Sequence, residues 1–102
     1  MTEHVFSLEG RTAVITGGTT GLGLAIAECM VKAGARVAVL SRRTKEEGQS
    51  ALKEMGEKAV FYHHDITDTG HAPELADQII REMGPVTILV NNAGNHCKKF
   101  IE

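Results

Sequence analysis

The chain has 102 residues, 42% of them apolar and 24% charged, enough for one small globular domain in the lower part of the usual size range. A formal net charge of −2 with scattered basic residues argues against nucleic acid and anionic membrane as partners, since both need a concentrated positive patch. The start, Met1-Thr2-Glu3-His4, carries no basic and then apolar leader, and no apolar run approaches the ~18 residues that span a bilayer, so the expectation is a soluble, cytoplasmic protein.

In chain order, the first element is a β-branched run over residues 12–16, followed by a helical stretch over 21–33. There Leu22, Ile26, Met30 and Val31 recur at helical spacing, and Gly34 follows where a helix end favours glycine. A second apolar run, 36–40, precedes Thr44-Lys45-Glu46-Glu47, a sequence with the form of a capping box that predicts a second helix to about Met55. The third strand is expected over 59–62. The third helix is expected over 72–83, with Pro73 in its first turn and Gly84-Pro85 as its stop, and the fourth strand over 86–90. The strands are nearly continuous apolar runs, the pattern of parallel strands covered on both faces.

Strict alternation of strand and helix, joined by right-handed crossovers, predicts an α/β fold, a Rossmann-like doubly wound parallel sheet of four strands in order 3-2-1-4. A nucleotide binds such a sheet beyond the carboxyl ends of the strands, where the order of addition reverses. Here that point lies between the first and fourth strands, and glycine-containing loops follow both.

The loop after the first strand is Thr16-Gly17-Gly18-Thr19-Thr20-Gly21-Leu22-Gly23. A dinucleotide pyrophosphate needs backbone N–H donors at a helix start, and glycine where a Cβ would block approach or where φ must be positive. Thr16, Gly17, Thr19, Gly21, Leu22 and Gly23 are therefore the candidate pyrophosphate cradle. The spacing Gly-x-x-x-Gly-x-Gly differs from the common Gly-x-Gly-x-x-Gly fingerprint.

Together with Asp65 closing the third strand and Asn91-Asn92-Ala93-Gly94 closing the fourth, this loop gives a chain that resembles the classical short-chain dehydrogenase/reductase family over essentially its whole length. The resemblance implies that Asp65, with Ile66 beside it, contacts the adenine. It also implies that Asn92, Ala93 and Gly94 line the cofactor site while the Asn-Asn-Ala-Gly turn supports the sheet. The implied reaction is hydride transfer between a nicotinamide cofactor and a small alcohol or carbonyl substrate. The polar loop 95–99 favours a polyhydroxylated or anionic substrate, and the complete protein is expected to be a homo-oligomer.

At the end of the second strand, Ser41 stands where NAD-dependent relatives carry an acidic residue for the ribose, and Arg42 and Arg43 follow. A cation there suits the 2′-phosphate of NADP, so NADP is the preferred cofactor over NAD, although Thr19 and Thr20 supply no further base. The alternative role for the two arginines is to solvate a helix start.

The family's catalytic Tyr-x-x-x-Lys and its serine have no counterpart in these 102 residues. The single tyrosine, Tyr62, is followed four positions later by Ile66. The chain therefore reads as an incomplete domain, residues 1–102 forming the N-terminal cofactor-binding part of a longer oxidoreductase. The alternative is a non-catalytic nucleotide-binding or scaffold chain. An incomplete sheet of this kind is expected to leave apolar surface bare and to associate or depend on a partner. The remaining histidines and cysteines offer no metal site or nucleophile. His63, His64 and Asp65 alternate along a strand and cannot chelate one ion, His4 and His71 are expected to face solvent, and His96 lies in an ordinary loop. Cys29 and Cys97 have neither disulfide nor zinc spacing and read as reduced thiols, and Cys97 lacks a base to make it a nucleophile.

Overall fold

A computed structural model describes residues 7–92. The elements follow in the order β1 (Thr12–Thr16), α1 (Gly21–Lys32), β2 (Arg36–Ser41), α2 (Lys45–Ala51), β3 (Ala59–His63), α3 (Ala72–Met83) and β4 (Ile88–Asn91). All strand pairs are parallel and the sheet order is β3-β2-β1-β4. The expected α/β, doubly wound architecture is therefore present, with β1 in the interior and the reversal between β1 and β4.

Alternate residues of each strand face opposite layers, and this sorts the core into two clusters. Ala13, Ile15, Val37, Val39 and Phe61 point to the side covered by α1 and α2, where Ala27 and Leu52 complete the packing. Val14, Ala38, Leu40 and Tyr62 point to the side covered by α3, through Ile79 and Met83. Leu89 of β4 is in register with Val14 and so belongs to the α3 side, but it is 69% exposed among the described residues. Apolar surface is thus bare on the face that carries one helix.

Two boundaries and one helix position differ from expectation. The second helix ends at Ala51 and gives way to a 3-10 segment over Lys53–Lys58, itself kinked at Gly56, whose φ of 77° lies outside the helical region. The fourth strand begins at Ile88, two residues late: Val86 packs beneath α3, and Thr87 donates its N–H to the Thr12 carbonyl at 3.0 Å ahead of the regular ladder. Leu22, expected on the apolar stripe of α1, is 70% exposed. The buried positions of that helix are Gly23 and Ala27, so its first turn lies close to the sheet through its smallest side chains. The capping box formed as expected: the Thr44 hydroxyl accepts from Glu47 N at 3.2 Å and the Glu47 carboxylate accepts from Thr44 N at 3.1 Å.

Candidate cofactor site

The carboxyl ends of all four strands meet along one rim of the sheet. Gly17 leaves β1 at φ 69°, a left-handed conformation in which a Cβ is strained, and its N–H donates to the Leu40 carbonyl at 2.7 Å. The turn then descends onto the sheet. A Cβ at Gly18 would lie 2.8 Å from Val39 Cγ1 and 3.2 Å from Ile15 Cγ2, and Thr19 is buried at 5% exposure. Gly18 was not among the candidate residues, and the adjacent Gly17-Gly18 pair is the sequence signal for it. The chain returns through Thr20, whose extended backbone starts α1.

Two observations make the start of α1 receptive to an anion. Thr20 gives no side-chain cap, and the first turn holds no acidic residue, so the N–H groups of Gly21, Leu22 and Gly23 precede the first helical bond, Leu24 N to Thr20 O, without a side-chain acceptor from the cap. At Gly23 there is no room for a side chain: a Cβ would strike the Gly17 carbonyl oxygen and the Asn92 side-chain amide.

The end of β4 fastens this turn in place. The Thr16 hydroxyl donates to Asn91 Oδ1 at 3.1 Å and accepts from Asn92 N at 2.9 Å, while Asn92 Nδ2 donates to the Gly17 carbonyl at 3.2 Å. Thr16, Gly17, Gly23 and Asn92 thereby form one contact group, joining the first and last of the predicted motifs. Ala93 and Gly94 lie outside the described residues.

Ser41, Arg42, Arg43 and Asp65 lie one and two strands away on the same rim. The Ser41 hydroxyl accepts from Arg43 N at 3.1 Å, so it shapes a turn, and both arginines are exposed. Asp65 Oδ1 accepts from Thr67 N at 2.9 Å and from Thr67 Oγ1 at 2.8 Å. Those two bonds hold its carboxyl below the usual carboxylate range, and the charges of Arg42 and His64 act in the same direction. Ile66, next to it, is half-buried. The rim thus presents helix-start N–H groups at β1, a cation at β2 and a carboxylate at β3.

Tyr62 and His71 are engaged with partners elsewhere, whereas His63 is tied to the turn at this rim. Tyr62 is 6% exposed and donates to Glu82 Oε1 at 2.6 Å, and burial followed by that hydrogen bond raises its phenol well above the ordinary value. It has no access to the rim. His63 Nδ1 meets the Arg43 carbonyl at 2.8 Å, and His71, solvent-facing as expected, pairs with Asp68 at 2.8 Å.

The family model for short chain dehydrogenases matches residues 11–102. The chain belongs to this family. Over 97 residues it is 42% identical to an NADP-dependent (R)-specific alcohol dehydrogenase of Lentilactobacillus kefiri, a match that covers 93% of this chain and 38% of that protein. A 2-keto-3-deoxy-D-gluconate dehydrogenase from Streptococcus agalactiae superposes with a TM-score of 0.79 at 42% identity, covering 87% of this chain and 34% of that one. The Pseudomonas aeruginosa RhlG/NADP active-site complex superposes with a TM-score of 0.79 at 34% identity, covering 88% and 36%. The chain therefore spans little more than a third of the length of these proteins.

Proposed function

We propose that this chain is the cofactor-binding part of a short-chain oxidoreductase that transfers hydride between NADP(H) and an alcohol or carbonyl substrate. The observation that carries the reading is the rim itself: an uncapped, glycine-walled helix start, with a guanidinium at the end of the neighbouring strand. The fit to a dinucleotide rests on shape as well as charge. A Cβ at Gly21 would stand in open space at the helix start, so its absence leaves the backbone there uncovered, while Gly23 lets α1 close onto the turn; a pyrophosphate is the kind of group that approaches such backbone N–H donors closely. When bound, the nicotinamide ring supplies or accepts the hydride.

This chain's own residues bind and orient. Gly21, Leu22 and Gly23 present N–H groups to the pyrophosphate, Thr19 supports the turn, and Asn92 lines the cofactor site, a role we propose also for Ala93 and Gly94. Asp65 and Ile66 bound the adenine. Ser41, Arg42 and Arg43 form the ribose end, where Arg42 favours a 2′-phosphate. The proton-transfer step is assigned to residues outside this stretch, since Tyr62 is buried and bonded to Glu82.

NADPH is expected to bind at least about tenfold more tightly than NADH, because a charge-assisted contact to phosphate contributes roughly 1.5–3 kcal/mol. Fluorescence titration of both cofactors against the parent and Arg42→Ala checks this. The variant is expected to lose the preference while keeping its NADH affinity, and equal affinities in the parent would refute the NADP reading.

A further inference from the structure

We propose that His63 is a positioning residue for the NADP-discriminating turn, holding residues 41–43 in the conformation that presents Arg42 to the ribose end of the cofactor. This rests on the NADP reading above and goes beyond it, since it assigns a role to a residue of β3 that lies outside the predicted motifs.

The turn between β2 and α2 has no ladder of its own. Its order comes from four contacts, and His63 makes one that no neighbour duplicates. Ser41 is the last β2 residue paired with β3, opposite His63, and its carbonyl accepts from His64 N at 2.9 Å. Both peptide groups of Arg43 are then tied: its N–H donates to Ser41 Oγ at 3.1 Å, and its carbonyl lies 2.8 Å from His63 Nδ1. Thr44 N is held in turn by the Glu47 carboxylate at 3.1 Å. A carbonyl oxygen only accepts, so Nδ1 carries the hydrogen in this contact. Arg42 thus sits between two fastened residues, with an exposed side chain close enough for its charge to act on Asp65.

The physical consequence is preorganisation. A turn that samples many backbone conformations must be ordered when the ligand arrives, and that entropic cost is subtracted from the contact the arginine makes. A hydrogen bond from the rigid end of a strand removes much of the cost beforehand. The pyrophosphate cradle at β1 does not include this turn, so the effect should fall on the 2′-phosphate contact.

The test uses the full protein and two variants. His63→Val removes the donor and introduces a β-branched residue that suits a strand, whereas the amide of His63→Asn places an N–H close to where Nδ1 stands. His63→Val is expected to raise the NADPH Kd about fivefold, as suits one exposed hydrogen bond, with the NADH Kd changing less than about twofold. It should also accelerate hydrogen exchange across residues 41–44 of the free protein. His63→Asn should restore both. Unchanged exchange in His63→Val, equal losses for the two cofactors, or failure of asparagine to rescue would each overturn the proposal. Equal NADPH and NADH affinities in the parent would overturn the cofactor preference alone, and the exchange measurement would then decide whether His63 holds the turn.

Discussion

The two ends of the sheet treat their polar groups in opposite ways. At the amino end, the last turn of α3 is closed by the protein itself. Thr12 Oγ1 and an Arg36 guanidinium nitrogen each donate to the Met83 carbonyl at 3.0 Å, and a second Arg36 nitrogen donates to the Glu82 carbonyl at 3.1 Å. A cation and a hydroxyl thus neutralise the negative end of that helix. At the carboxyl end, the positive start of α1 has no side-chain cap and no acidic residue in its first turn. One end is closed by side chains of the protein, and the other has no side-chain acceptor from its cap. Substitutions at the amino end should therefore cost stability and leave cofactor affinity alone, while those at the carboxyl end should do the reverse or both.

The largest effect is expected for Gly23→Ala. In an unobstructed helix this change would stabilise by about 1 kcal/mol through backbone entropy. Here the new Cβ meets the Gly17 carbonyl and the Asn92 amide, so the sign reverses. Overpacking of this kind costs roughly 1–3 kcal/mol, and separating α1 from the glycine turn should weaken NADPH binding by well over tenfold. Denaturant unfolding and cofactor titration on the same variant measure both. A gain in stability would show that the turn yields, and that the close approach of α1 is not what the glycine is for.

Thr12→Val probes the opposite end with a nearly isosteric change. Thr12 is 4% exposed and its hydroxyl is given to Met83 O, so the variant should lose about 1 kcal/mol of stability. The Met83 carbonyl keeps Arg36 as a donor, which limits the loss. NADPH affinity should remain within about twofold, since one hydrogen bond at the far edge of the sheet adds no contact at the rim. A large change in affinity would break the division between the two ends.

Much of this division was legible in the sequence, and its limits have physical causes. Parallel strands buried on both faces announce themselves as unbroken β-branched runs, so the parallel α/β sheet followed from pattern, and the order 3-2-1-4 with its switch point beside Gly17 from the Rossmann-like topology. The capping box at Thr44 and Glu47 was legible because it is a local bond pattern with fixed spacing. Leu22 misled because periodicity records which residues are apolar and not how near the helix comes to the sheet. That distance is set by Gly23 against Gly17, a contact across the turn. The clasp of Thr16, Asn91 and Asn92 joins residues that only strand pairing makes neighbours, as does the bond from His63 to Arg43. Arg36 as the cap of α3 was equally invisible, since its partners lie on another element some 46 residues away in sequence.

The smallest effect, and the one that reads pH, lies at the start of α3, which follows the carboxyl end of β3. Asp68 Oδ1 accepts from His71 N at 3.2 Å and Oδ2 pairs with the His71 ring at 2.8 Å. The hydrogen bond to Asp68 raises the His71 pKa above its usual 6.5, and the same contact lowers that of Asp68 below 3.8. A raised histidine pKa contributes stability that is fully present below 6.5 and lost as pH rises through the raised value. A lowered aspartate pKa contributes stability that is present above 3.8 and lost as pH falls through the lowered one. The pair should therefore help most between these limits, at about pH 5–6. Asp68→Asn keeps an acceptor for His71 N and removes the charge. Its Tm should lie below that of the parent by a small margin near pH 5.5, and the margin should close by about pH 9 and shrink with added salt. A margin independent of pH would show that the ion pair is not its source. The start of α3 would then owe nothing to charge, in contrast to the closure that Arg36 makes at its other end.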